Sequence, residues 1–144
     1  GAALRVIFGP VSDRLGGARV TMLSGIGLVV CALGVTRFTE PTSMEQFSGF
    51  VWMMLGLFFF AGIGNASTFK QMPMIFPPRQ AGGVIGWTSA IAAYGPFVFA
   101  SLFGVIIGAT GHPTIFFYGA AVFYLANIWL NWWYYTRKGA EKPC

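Results

Sequence analysis

From Gln80 to Thr136 the chain runs for 57 residues without a formal charge. A helix that crosses the hydrocarbon core of a bilayer takes about 20 residues, so a run of this length is two crossings and a turn. The turn falls at 108–113, GATGHP, where Gly and Pro cluster. Two shorter uncharged runs precede it, 17 residues at 20–36 between Arg19 and Arg37 and 24 residues at 46–69 between Glu45 and Lys70. Only 9% of the residues are charged, against about a quarter in a soluble domain, so the chain lacks the polar surface to face water on all sides. That balance excludes disorder, collagen, a coiled coil and a secreted disulfide scaffold. A closed barrel is disfavoured because the segments are continuously apolar and do not alternate. The expected fold class is therefore all-α, a polytopic transmembrane helix bundle. Its helices are expected at about 19–38, 48–75, 82–108 and 113–136. The opening GAALRVIFG reads as the end of a further hydrophobic segment, a stub over residues 1–8.

The charges between the runs carry the topology. Segment 9–19 holds Arg14 and Arg19, segment 70–82 holds Lys70 and Arg79, and the tail holds Arg137, Lys138 and Lys142. The connections between these, 39–49 and 109–113, carry Glu40 and Glu45 or only His112. Basic segments face the cytoplasm in membrane proteins, which places the first and third connections and the C-terminus there. The net charge of +5 follows from this bias, so no nucleic acid partner is implied. Trp52, Trp87, Trp129, Trp132, Trp133, Tyr134 and Tyr135 fall mostly near span ends, where an aromatic interfacial belt would lie. Cys31 reads as a small buried hydrophobe, and with Cys144 it suggests no disulfide.

No catalytic constellation is visible, which argues against an enzyme. His112 has no nucleophile set against it and no second metal ligand nearby, and no metal or cofactor site is expected. The informative residues are polar groups in or beside apolar runs. Arg5 lies four residues before the first connection; it either snorkels to the membrane edge or serves as an anion ligand, since a guanidinium binds a planar oxyanion bidentately. The stretch 61–68, AGIGNAST, removes side chains at Gly62 and Gly64 and offers Asn65, Ser67 and Thr68 as uncharged hydrogen-bonding groups. It suits either close helix packing or close approach of a substrate. Gly95-Pro96 should kink its helix, and Gly104 and Gly108 suit a close helix contact. The expected spans contain no Asp or Glu, hence no carboxylate proton relay.

The segment 9–19, GPVSDRLGGAR, resembles the cytoplasmic loop motif of the major facilitator superfamily, G-x-x-x-D-R-x-G-G-x-R. The motif occurs in that family after the second and eighth helices, and four helices follow here, so the resemblance implies the end of helix eight through helix twelve. It implies a charged latch between helix ends, formed by Asp13, Arg14, Gly16, Gly17 and Arg19. Within the superfamily, the chain is similar to the nitrate/nitrite porters, on the stretch 61–69 and on an Arg at the position of Arg5. The resemblance implies that Arg5 clamps the anion together with an Arg of the second helix, while Gly62 and Gly64 let helices slide past it.

These readings imply a multi-pass protein of the cytoplasmic membrane that carries nitrate and nitrite by alternating access. Arg5, Gly62, Gly64, Asn65 and Ser67 would line the substrate path, and the remaining half of the transporter would complete it. The missing carboxylates favour anion exchange, because an arginine stays protonated and cannot carry a proton. The alternatives are nitrate-proton symport, transport of another (organic) anion, and a non-transporting helical scaffold in which Arg5 only snorkels.

Overall fold

A computed structural model describes residue 10, residues 15–40 and residues 42–141. Among the described residues the architecture is a bundle of four long helices, α1 (Gly17–Thr36), α2 (Met44–Ile75), α3 (Pro78–Thr110) and α4 (Thr114–Asn131). A π-helical turn, Trp132–Thr136, prolongs α4. All four are long and apolar enough to cross a membrane, the last counted through Thr136.

Helix ends follow local chemistry. The second helix starts at Met44, ahead of the expected 48, because Ser43 caps it: the Ser43 hydroxyl accepts the Gln46 N–H at 3.3 Å. Gln46 Oε1 in turn accepts the Thr42 N–H at 2.9 Å, a variation on the reciprocal Ser-x-x-Gln capping pattern. Glu45 therefore sits in the first turn of a span rather than in a connection, where its charge meets the positive end of the helix. The basic segment 70–82 is likewise mostly helical. Pro73 lies inside α2 without ending it, and Pro78 occupies the start of α3, where its missing N–H costs nothing. Only Phe76 and Pro77 lie between the two helices, so Lys70 and Arg79 are carried on helix ends. The connection from α3 to α4 turns at Gly111, whose φ of 74° closes α3 in the left-handed conformation.

α1 is the central strut. It packs against α2 on one side and α4 on the other, and its buried residues include Ala18, Val20, Ser24, Cys31, Ala32 and Val35. The α1–α2 contact is close because small residues meet larger ones across it. Cys31 Sγ stands 2.7 Å from where a Cβ on Gly56 would be, and the Ser24 hydroxyl fills the space beside Gly64. Such contacts replace the hydrophobic drive that is missing between helices in lipid. α3 is different: Ala81 is its only buried residue among those described, and Trp87, Ile91, Tyr94, Phe97 and Val105 are all exposed. Where α3 approaches α4, Phe103 meets Phe116 edge to face at 4.9 Å between ring centroids.

Candidate functional site

A cavity of about 360 Å³ opens between the helices, with walls from all four. From α2 it takes Ala61, Gly64, Asn65, Thr68, Phe69 and Met72, spaced three and four apart as one face of a helix must be. α1 adds Thr21, Ser24, Gly25 and Leu28, α3 adds Thr88 and Ala92, and α4 adds Phe123, Tyr124, Asn127, Ile128 and Asn131. No lining residue carries a formal charge, and the polar ones are all hydroxyls or carboxamides.

Most of those polar groups are already engaged. Ser24 Oγ donates to the Phe60 carbonyl at 2.8 Å, Thr68 Oγ1 to the Gly64 carbonyl at 2.8 Å, and Asn127 Nδ2 to the Phe123 carbonyl at 2.8 Å. The Thr68 and Asn127 bonds stay within their own helices, whereas the Ser24 bond crosses from α1 to α2. Asn65 differs. Its Oδ1 is buried and has no hydrogen-bond partner among the described residues. A buried unpaired carboxamide oxygen costs about 1–3 kcal/mol, so the position calls for a donor that the described chain does not supply. The same carboxamide also carries two N–H donors, the kind of group an anion accepts from.

The expected site residues divide accordingly. Gly64 and Asn65 line the cavity. Ser67 is fully buried and turns towards α1, with its Oγ 2.7 Å from Thr21 Oγ1, and Gly62 is buried outside the cavity wall. Arg5, Asp13 and Arg14 lie outside the described residues. Of the loop motif, Gly16 has φ 88°, a conformation that favours glycine, and immediately precedes α1. Gly17 is buried against α2, where an added Cβ would stand 2.7 Å from Gln71 Cγ. Arg19 is exposed.

Sequence reasoning passed over a polar chain at this same end of the bundle. Gln71 Nε2 donates to Asn131 Oδ1 at 3.2 Å, and Asn131 Nδ2 donates to the Ala18 carbonyl at 2.8 Å. Thr21 Oγ1 donates to the Gly17 carbonyl at 2.9 Å and meets Ser67 across the α1–α2 contact. These bonds join α1, α2 and α4 next to the Gly16–Gly17 turn, and Thr21 and Asn131 are at the same time cavity wall. The available signal was the pair Asn127 and Asn131, four apart and hence on one face of an apolar run.

Comparison with known proteins matches residues 1–143 to the family model described as Major Facilitator Superfamily. The chain is 66% identical over 144 residues to the probable nitrate/nitrite antiporter NarK2 of Thermus thermophilus, covering 100% of this chain and 32% of that protein. It is 29% identical over 159 residues to the nitrate/nitrite transporter NarU of Escherichia coli, covering 96% of this chain and 34% of the relative. It is 28% identical over 135 residues to the nitrite extrusion protein of Bacillus subtilis, covering 94% and 32%. The chain thus spans about a third of the length of the curated relatives it matches.

Proposed function

The chain belongs to the Major Facilitator Superfamily, and from that premise we propose that it is the C-terminal part of a nitrate/nitrite porter, from the end of helix eight through helix twelve. It acts as a transporter and not as an enzyme, in the cytoplasmic membrane, with its C-terminus in the cytoplasm. The first half of the same porter closes the open side of the cavity and covers the exposed face of α3.

The observation that carries this reading is the cavity, a largely apolar one whose polar groups are all neutral hydroxyls and amides, and whose wall includes Asn65, with an Oδ1 that lacks a partner among the described residues. A wall without carboxylates does not repel an anion, and an amide donor binds one without a permanent charge. The permanent charge comes from Arg5. Its guanidinium can take two oxygens of a planar anion at once, and Asn65 Oδ1 is an acceptor suited to holding such a guanidinium. Gly62 and Gly64 keep α2 narrow where it moves, and Ser67 fastens α2 to α1. Asp13, Arg14, Gly16, Gly17 and Arg19 form the latch that closes the cytoplasmic side as the halves rock about the site. Exchange of nitrate for nitrite is favoured over proton symport, because neither an arginine nor an asparagine releases a proton in the working range.

The test is Arg5→Lys in the full-length porter reconstituted in liposomes. Nitrate uptake against internal nitrite should fall severely, because an ammonium cannot supply the two-pronged contact. Near-normal uptake would overturn the clamp. Strong wild-type uptake driven by a pH gradient, with no internal anion, would overturn exchange.

A further inference from the structure

Three side chains form a column along α4 and its π-helical extension, at spacings of four: Trp129, Trp133 and Arg137. The two indoles are stacked, with centroids 5.7 Å apart and planes 27° from parallel. The Arg137 guanidinium carbon lies 4.1 Å above the Trp133 ring. Arg137 Nε donates to the Trp133 carbonyl at 2.9 Å, and the Arg137 backbone N–H closes the π turn on the Trp132 carbonyl at 3.0 Å. Among the described residues the guanidinium is held by one face and one N–H, and its two terminal amino groups meet no partner. Among the described residues it forms no ion pair with a carboxylate. Glu141 is its nearest acidic neighbour in sequence, and it lines a separate small cavity with Ile75, Phe76, Tyr134 and Tyr135.

The location is specific. The fourth helix long and apolar enough to cross a membrane ends at Thr136, so Arg137 is the first residue beyond it. Trp129 is 57% exposed and Trp133 is 40% exposed, and tryptophans at such a level sit among lipid headgroups. Lys138 follows, also exposed.

We propose that this column is a binding site for the phosphate of an anionic phospholipid. The indoles lie against the glycerol and upper acyl region, and the terminal amino groups of Arg137 take two phosphate oxygens. Lys138 adds charge that disfavours the cationic headgroup of a zwitterionic lipid. Stacking on Trp133 keeps the guanidinium planar face out of water, which strengthens its pull on a phosphate. The site does not depend on the transported substrate.

The full-length porter is purified from membranes containing phosphatidylglycerol and phosphatidylethanolamine, and the lipids it retains are counted by native mass spectrometry. The wild type should retain phosphatidylglycerol preferentially, and Arg137→Gln should lower that preference about fivefold, the equivalent of one basic residue at an anionic surface. Arg137→Lys should keep part of it, and Trp133→Leu should reduce it while leaving the charge in place. An unchanged lipid ratio in Arg137→Gln would overturn the proposal. So would displacement of the lipid by millimolar inorganic phosphate, which would mark a site for free anions instead. If Arg137→Gln does not fold, an unchanged ratio in Trp133→Leu overturns it equally.

Discussion

Replacing Gly64 by Ala places a methyl group against the Ser24 hydroxyl, inside contact distance, while Ser24 Cβ stays 3.5 Å away. Ser24 is 2% exposed and its Oγ is bonded to the Phe60 carbonyl at 2.8 Å, so the hydroxyl cannot shift and keep that bond. Either it rotates and gives up that bond, or α1 and α2 move apart. The lost bond is worth about 0.6 kcal/mol on average for helices in lipid and up to about 1.7. Overpacking a tight contact adds about 1–3 kcal/mol. Gly64→Ala should therefore destabilise the full-length porter by roughly 2–4 kcal/mol. Ser24→Ala alone removes only the bond and should cost about 1 kcal/mol. Because Ser24 Cβ is at an ordinary contact distance, the double variant should lose only the bond, about 1 kcal/mol, giving a coupling of about 2–4 kcal/mol in magnitude. Unfolding in detergent followed by circular dichroism, over the four proteins of the cycle, measures this directly. If the two changes are simply additive, the close approach of α1 and α2 at this level is not what requires glycine, and the reasoning fails.

Asn131→Leu removes the bonds to Gln71 and to the Ala18 carbonyl and should lower stability by about 1–2 kcal/mol in the same unfolding assay; no change would mean that the polar chain does not hold the three helices. Glu40→Gln removes the charge from the 2.6 Å contact of Glu40 Oε1 with His112 Nδ1, but both side chains are about two-thirds exposed, so the loss should stay below about 1 kcal/mol. Gly111→Ala forces a side chain into a backbone with φ 74° and should cost about 1–2 kcal/mol, read again as an unfolding shift. Asp13→Asn should slow anion exchange and raise the labelling of cysteines introduced at the cytoplasmic ends of the helices; unchanged labelling would count against the latch.

Spans of this kind are legible because each residue meets lipid or water almost on its own terms. Charge is excluded from hydrocarbon whatever the neighbours, so the gaps between Arg19, Arg37, Glu45, Lys70 and Arg137 were enough to count four crossings. The turn at Gly111 was readable for the same reason, since Gly and Pro act on their own backbone. Helix ends were less so. Ser43 and Gln46 cap each other's neighbourhood, and Pro73 and Pro78 look alike as letters, yet one is carried inside a helix and the other begins one. The site was the least legible part. Asn65 and Ser67 stand two apart in one polar stretch, but at about 100° per residue they point to different neighbours, one into the cavity and one onto Thr21. Gln71 and Asn131 are 60 residues apart and meet only because α4 packs beside α1. Charge spacing alone marks out the four described helices as membrane-crossing, because hydration acts residue by residue. Which polar groups satisfy one another, and which, like Asn65 Oδ1, lack a partner among the described residues, depends on packing, because a hydrogen bond needs two partners that the chain must first bring together.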